Sequence, residues 1–138
     1  MHNKIKIASM HYENGYTCSQ AVFSAYSKEM EIDEVTALRL AEGFTDGIGG
    51  LQNICGGLSA AIAVISYHYS DGTPGNLEKR KVLFTKIKTL IDEFQKEYKG
   101  ITCKEVLRNE KPVQFQCGMT VKNCVLLINQ LLSEIDTR

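Results

Sequence analysis

Apolar residues recur along most of this chain at the spacing of one helix face, and this pattern constrains the fold more than any other feature. One such stripe lies in the C-terminal segment and consists of Val121, Cys124, Val125, Ile128, Leu131, Leu132 and Ile135. A second, in the preceding long segment, consists of Leu83, Phe84, Ile87, Leu90, Ile91, Phe94 and Tyr98. No segment alternates apolar and polar residues as a half-buried strand would. The spacing therefore predicts an all-α protein.

Turn and capping signals divide the chain into about seven helices. Asp33 is the predicted N-cap of a helix that ends near Glu42. The predicted breaks elsewhere are Asn14-Gly15, a loop over 70–76 (SDGTPGN), Gly100 at the end of a helix that starts near Leu77, and a loop from about Asn109 to Gly118 around Pro112. The predicted fold class is an irregular bundle of these helices with a glycine-rich internal segment. The whole chain, 1–138, is expected to form a single domain.

The glycine-rich segment runs from Gly43 to Gly57 and reads GFTDGIGGLQNICGG. An apolar helix from about Asn53 to Tyr69 follows or overlaps it. The glycines do not match a P-loop, since no Gly-Lys-Ser/Thr follows, and they do not follow a strand as a dinucleotide-binding fingerprint requires. Close packing of helices around Cys55 is the interpretation that the sequence favours.

Charge and cysteine content exclude several classes of protein. The formal net charge is zero, so the chain offers no electrostatic footprint for nucleic acid or an anionic membrane. No stretch approaches the roughly 20 apolar residues that span a bilayer, and no secretory signal pattern is present. The five cysteines are odd in number and widely spaced, unlike a secreted disulfide framework. We therefore expect a cytoplasmic protein that neither binds nucleic acid nor inserts into a membrane.

Three cysteines fall where helices are predicted to begin. Cys18 and Cys103 each follow a threonine in a capping-box pattern, TCSQ and TCKE, which makes each of them the first helical residue. Asn53 is the predicted cap of the central helix, which would put Cys55 in its first turn. Unpaired backbone N–H groups and the helix dipole favour a thiolate at such positions and lower its pKa. Low-pKa thiols react with disulfides and oxidants and bind soft metals.

Other interpretations of the cysteines stay open at this point. A free cysteine often only fills space in a core, and Cys124 lies on an apolar stripe. The sequence has no CxxC, no CxxCH and no Cys/His pair at zinc-finger spacing, so a metal site would have to be assembled from distant helices. His11 and His68 are isolated and are interpreted as structural. No Ser-His-Asp set or carboxylate pair stands out.

The order of the cysteine motifs resembles that of the C_GCAxxG_C_C family of small proteins described as redox-active, over nearly the whole chain. The matching motifs are Cys18 in NGYTCSQAV, Cys55-Gly56-Gly57 for the family's CGA, Cys103 in GITCKEVL and Cys124 in NCVLLINQLL. Gly57 replaces the family's alanine and Ala60 its final glycine, and both replacements are small. Cys117 is interpreted as an extra cysteine. The resemblance implies cysteine redox chemistry or cluster binding and does not imply a substrate.

Three functions follow, from three different classes. The first is thiol–disulfide chemistry as a thiol oxidoreductase, with Cys55 as the nucleophile, Cys18 or Cys103 as the resolving thiol and no cofactor required. The second is binding of zinc or an iron–sulfur cluster by Cys18, Cys55, Cys103 and Cys124. The third is a non-catalytic helical adaptor, for which the resemblance suggests a link to transporters. The partner is an unidentified redox protein, and assembly into a homodimer is also open.

Overall fold

The computed structural model describes residues 2–107 and 112–136, and these form seven α-helices and one 3₁₀ turn, η1. The helices are α1 (His2–Glu13), α2 (Cys18–Ser24), α3 (Glu34–Ala41), α4 (Gly56–Tyr69), α5 (Leu77–Tyr98), α6 (Cys103–Val106) and α7 (Val113–Asp136), and η1 (Glu42–Phe44) follows α3. No strand occurs in the described ranges, which contain one isolated antiparallel bridge. The prediction of an irregular all-α bundle of about seven helices is confirmed.

The short helix α2 lies at the centre of the bundle and packs against α1, α3, α4 and α7. All of its residues from Cys18 to Ser24 are buried, including the polar ones. The polar side chains tolerate this burial because they have partners: Ser19 donates to the Ala41 carbonyl at 2.8 Å, and Gln20 donates to the Leu38 carbonyl at 3.0 Å. These bonds tie α2 to α3 and fix the position of its first residue.

The two long apolar stripes differ in how much of each is buried. The C-terminal stripe, on α7, is buried from Val121 to Leu132. On α5 only Leu90 and Phe94 are buried, and Phe84 is 54% exposed. The first half of α5 therefore extends along the surface of the bundle. No helix in the described part of the chain combines the length and the apolar character needed to cross a bilayer.

Two predicted boundaries were wrong. The predicted loop around Pro112 is helical from Val113 onward, because a proline just before a helix does not disrupt it. Gly118 lies inside α7, where the ring of Tyr12 would lie 3.4 Å from an added β-carbon. Asn109, the predicted start of that loop, lies outside the described residues. The central helix α4 begins at Gly56, three residues after the predicted start.

Candidate functional site

The glycine-rich segment contains a left-handed turn. Five successive residues have positive φ: Asp46 (52°), Gly47 (71°), Ile48 (66°), Gly49 (57°) and Gly50 (82°). Backbone hydrogen bonds from Gln52 to Asp46 (3.0 Å) and from Asn53 to Gly47 (2.9 Å) close the turn. A β-carbon on Gly47 would lie 2.6 Å from the Asn53 nitrogen, so only glycine fits there. The first glycines thus form a turn and do not pack helices together, which corrects the sequence interpretation.

Gly56 and Gly57 do allow the close packing that was expected. A β-carbon on Gly56 would lie 2.6 Å from the Phe44 carbonyl oxygen and 3.2 Å from Cys18 Sγ. The start of α4 can therefore approach both η1 and the first residue of α2. This approach brings Cys18 beside Cys55.

Capping boxes place Cys18 and Cys103 as predicted. Thr17 caps α2 and accepts a hydrogen bond from the Gln20 N–H, while the Gln20 side chain accepts one from the Thr17 N–H. The corresponding box at α6 joins Thr102 and Glu105. Each cysteine is therefore the first residue of its helix.

Cys55 is itself the N-cap of α4, and the prediction that Asn53 caps this helix was wrong. The reason is the antiparallel bridge between Ile54 and Thr102, which keeps this segment extended. The Cys55 N–H donates to the Ile101 carbonyl at 2.8 Å, and the Cys103 N–H donates to the Asn53 carbonyl at 2.7 Å. These two bonds hold the starts of α4 and α6, and with them two cysteines, side by side.

The cysteines of four segments line one small cavity. They are Cys18 on α2, Cys55 at the start of α4, Cys103 on α6 and Cys117 on α7, and Asp46 from the left-handed turn lies beside them. The volume of the cavity is about 10 Å³, which is room for about one water molecule. The remaining lining residues are Gly56, Val106, Leu107 and Thr120. All the cysteines of the chain are unpaired thiols in this structure.

The structure places Cys124, the fourth cysteine of the predicted set, in the core behind this cavity. It is completely buried on α7, and its sulfur lies 3.3 Å from the position of a β-carbon on Gly57. Cys55 Sγ lies 3.9 Å from the same point. The sulfurs of Cys55 and Cys124 are therefore at most about 7 Å apart, whereas a disulfide would hold them at about 2 Å.

Burial raises the pKa of every one of the five thiols. The pKa of Cys18 rises to about 12, and that of Cys117 rises to about 11. Hydrogen bonds from the N–H groups of Leu58 and Gly57 lower the pKa of Cys55, but desolvation outweighs them. The expectation of low-pKa thiols at helix N-termini was therefore wrong, because these helix ends are buried. The thiols are protonated and uncharged at neutral pH.

The cysteines of the cluster lie close enough to oppose one another's ionisation. The charge of Cys55 raises the pKa of each of the others, Cys18, Cys103, Cys117 and Cys124. Asp46 adds to this effect at three of them, the cavity-lining thiols other than Cys55. Such mutual repulsion requires the sulfurs to be near neighbours. The site therefore opposes several thiolates at once.

A metal centre has no preformed set of ligands in the described part of the chain. There, no three side chains among histidine, cysteine, aspartate and glutamate are placed to hold a metal ion together. The alternative assignment of Cys18, Cys55, Cys103 and Cys124 as ligands stays a prediction.

Sequence reasoning missed Cys117 and Asp46 at the cavity. The signal for Cys117 was its spacing of seven residues from Cys124, which places both on one face of a helix if α7 begins early. Sequence reasoning also missed a set of polar residues on three helices. His11 Nδ1 lies 2.9 Å from Ser24 Oγ, and its Nε2 lies 3.3 Å from Glu34 Oε1. Because Ser24 is only 3% exposed, this set links α1, α2 and α3 and does not form an open catalytic site.

The fold and the site define a class: a small helical protein that gathers reduced cysteines from separate segments at one buried cavity. The chain belongs to the C_GCAxxG_C_C family, described as "putative redox-active protein", whose model matches residues 16–131. The match includes all five cysteines and begins after α1. No curated protein and no solved structure matches the chain.

Proposed function

We propose that the protein is a thiol–disulfide redox protein in which two cavity thiols alternate between the dithiol and the disulfide state. The observation that carries this proposal is that Cys18, Cys55, Cys103 and Cys117 come from four separate segments and line one cavity. Cysteines that only fill a core have no reason to gather at one point. Membership of a family described as redox-active supports the same chemistry.

The cavity suits a reaction whose stable states are both uncharged. Two thiols lose two protons and two electrons to form one disulfide, and a disulfide of the partner takes them up to become two thiols. Burial disfavours a thiolate, which is why the thiol pKa values are raised, but it disfavours neither a dithiol nor a disulfide. The thiolate is then only a transient species during exchange.

Cys55 is the proposed nucleophile, and Cys18 its proposed resolving partner. Cys55 lines the cavity, and hydrogen bonds from the N–H groups of Gly57 and Leu58 would help to stabilise its transient thiolate. Gly56 lets the two cysteines approach, since Cys18 Sγ lies 3.2 Å from where its β-carbon would be. Cys103, held beside Cys55 by the bridge, is the second candidate for the resolving thiol.

We further propose that the protein works in the cytoplasm. All the cysteines are unpaired in this structure, and a reducing compartment keeps neighbouring thiols in that state between turnovers.

The experiment is oxidation of the anaerobically purified, reduced protein by a stoichiometric amount of hydrogen peroxide, followed by peptide mapping. We expect one disulfide per chain, which includes Cys55, and the loss of that disulfide in Cys55→Ser. Cys124→Ala is the matched control and should keep the disulfide, because Cys124 does not line the cavity. Absence of any intramolecular disulfide in the wild type, or stoichiometric zinc or iron in the purified protein, would overturn the proposal.

A further inference from the structure

Cys117 is the cysteine of this cluster whose residue is partly exposed. It lies in the second turn of α7 and is partly exposed, whereas Cys18, Cys55, Cys103 and Cys124 are all buried. The cavity behind it is too small to admit another protein's disulfide. A partner that exchanges electrons with the buried thiols must therefore meet one of them at the edge of the cavity.

Tyr12, near the end of α1, is placed against this edge. Its hydroxyl donates a hydrogen bond to the Gln114 carbonyl at 3.1 Å, one turn before Cys117. Its ring packs against the residue that follows Cys117, since a β-carbon on Gly118 would lie 3.4 Å from Tyr12 Cε2. Cys117 lies between these two contacts, and the nearby Tyr12 hydroxyl lowers the pKa of its thiol.

The hydroxyl of Tyr12 remains a donor throughout the working pH range. Burial and the neighbouring thiols raise its pKa to about 12. The hydroxyl keeps its proton, so it can turn from the Gln114 carbonyl and donate to the Cys117 sulfur when that sulfur becomes a thiolate. The other groups that face Cys117 are Cys18, Cys55, Cys103 and Asp46, and each of these opposes a thiolate. Tyr12, by contrast, favours the Cys117 thiolate.

Tyr12 also lines an open groove between α1 and α7. The groove has a volume of about 230 Å³, with Phe115 and Met119 on its floor and Glu13 and Lys122 among its polar residues. Phe115 and Met119 are largely exposed although they are apolar. Tyr12 thus lies between this outer groove and the segment of α7 that carries Cys117.

We propose that Cys117 is the thiol through which the cluster exchanges disulfides with an outside partner, and that the Tyr12 hydroxyl is the positioning group that stabilises the attacking Cys117 thiolate. This inference rests on the proposed thiol–disulfide function. It names an entry residue, Cys117, and a positioning residue, Tyr12, which lies outside the residues that the family match covers.

The reaction balances as three successive thiol–disulfide exchanges. Cys117 gives up its proton and its sulfur attacks one sulfur of the partner's disulfide, which breaks that bond and forms a mixed disulfide. The second partner sulfur leaves as a thiolate and takes up a proton. The Cys55 thiol then gives up its proton, and its sulfur attacks Cys117 Sγ, which forms a Cys55–Cys117 disulfide and releases the other partner sulfur, which takes up a proton. Finally Cys18 gives up its proton and attacks Cys55 Sγ, which forms the internal Cys18–Cys55 disulfide and returns Cys117 to a thiol.

The test uses cystamine, a small disulfide, on the full-length reduced protein, with mass-spectrometric mapping of the first mixed disulfide. In the wild type we expect it at Cys117. In Tyr12→Phe the second-order rate at Cys117 should fall about 10- to 150-fold, the factor for losing a hydrogen bond to a charged group. Its pH profile should also shift upward. Tyr16→Phe is the control, since Tyr16 contacts His11 at its edge and lies outside the groove.

Each outcome decides one point. A first mixed disulfide at another cysteine in the wild type overturns Cys117 as the entry thiol, and this result depends on no variant. An unchanged rate and pH profile in Tyr12→Phe overturns the role of Tyr12. Hydrogen peroxide, which is close to water in size, should still produce the internal disulfide in Cys117→Ser. If peroxide does form that disulfide, a cystamine adduct at a cysteine other than Cys117 rejects only the proposed entry through Cys117. If peroxide forms no disulfide even in the wild type, the proposed function itself fails.

Discussion

At the scale of single residues, a position at a helix N-terminus lowers the pKa of a thiol, whereas burial raises it. Cys18 is the first residue of α2, where the Ser19 N–H lowers its pKa, yet desolvation raises that pKa to about 12. The same competition decides the state of Cys55, where two backbone N–H groups are outweighed. A helix N-terminus activates a thiol only where water or a cation also reaches it. Cys117 is partly exposed, yet desolvation still raises its pKa to about 11.

Gly57 and Cys124 form a size-matched pair. The Cys124 sulfur lies 3.3 Å from where a β-carbon on Gly57 would be, so it takes space that the family's alanine would need. Cys124→Ala should cost about 1–2 kcal/mol by leaving a small void. Gly57→Ala should lower the free energy of unfolding in the wild type. In the Cys124→Ala background it should raise that free energy, because the added methyl group fills the void and alanine has a higher helix propensity than glycine. Urea unfolding of the four proteins should give a coupling energy of about 1 kcal/mol.

The control for this double-mutant cycle is Gly43→Ala, since no atom lies within 4 Å of the β-carbon that this substitution adds. Its effect on the free energy of unfolding should add to that of Cys124→Ala without coupling. Equal coupling for both glycines would show that Cys124 and Gly57 do not share space.

At the scale of elements, the site depends on how helices begin. The starts of α2, α4 and α6 meet at the cavity, and two of them are held by capping boxes. The bridge between Ile54 and Thr102 adds a contact that no helix periodicity predicts. The four-residue helix α6 is too short to be stable alone, so its cap and this bridge hold Cys103 in place.

Thr102→Ala tests the contribution of a cap. Thr102 Oγ1 accepts from the Glu105 N–H at 3.1 Å, and its loss should lower the free energy of unfolding by about 1 kcal/mol. Because burial dominates the pKa of Cys103, fraying of α6 should expose this thiol and speed its alkylation by iodoacetamide. Thr85→Ala on the exposed face of α5 is the control and should change neither value appreciably. Slower alkylation of Cys103 would contradict this account.

At the scale of the whole molecule, the protonated cluster links stability to pH. The pKa of Cys18 in the folded protein, about 12, lies above its ordinary value of 9.0, and that of Cys117 is also raised, to about 11. The folded state therefore binds more protons than the unfolded state above pH 9. The stabilisation is complete below pH 9 and is lost as pH rises toward 12.

Urea unfolding in the presence of a phosphine reductant checks this pH dependence. The free energy of unfolding should fall with rising pH above about 9, and Cys18→Ala should make the fall shallower. Tyrosines with raised pKa, such as Tyr12, contribute to the same fall in both proteins and so cancel in the comparison. Identical slopes for the wild type and Cys18→Ala would show that the thiol of Cys18 does not ionise differently on folding.

Local chemistry in the sequence determined the helices and several of their ends. The stripe on α7, the Asp33 cap and both capping boxes depend on residues three or four apart, and each was predicted. Such features can be derived from sequence because their partners lie within one helical turn. The family pattern likewise pointed to Cys18, Cys55 and Cys103, all of which line the cavity.

Only the tertiary structure decided which thiols meet and in what state. Cys117 lines the cavity in place of Cys124 because α7 begins at Val113, which turns the earlier cysteine toward the starts of α2, α4 and α6. The left-handed turn that brings Asp46 there depends on contacts that involve Gly47 and Asn53. The raised pKa values have the same origin. Desolvation depends on how many segments cover a sulfur, and that quantity exists only once the helices have packed.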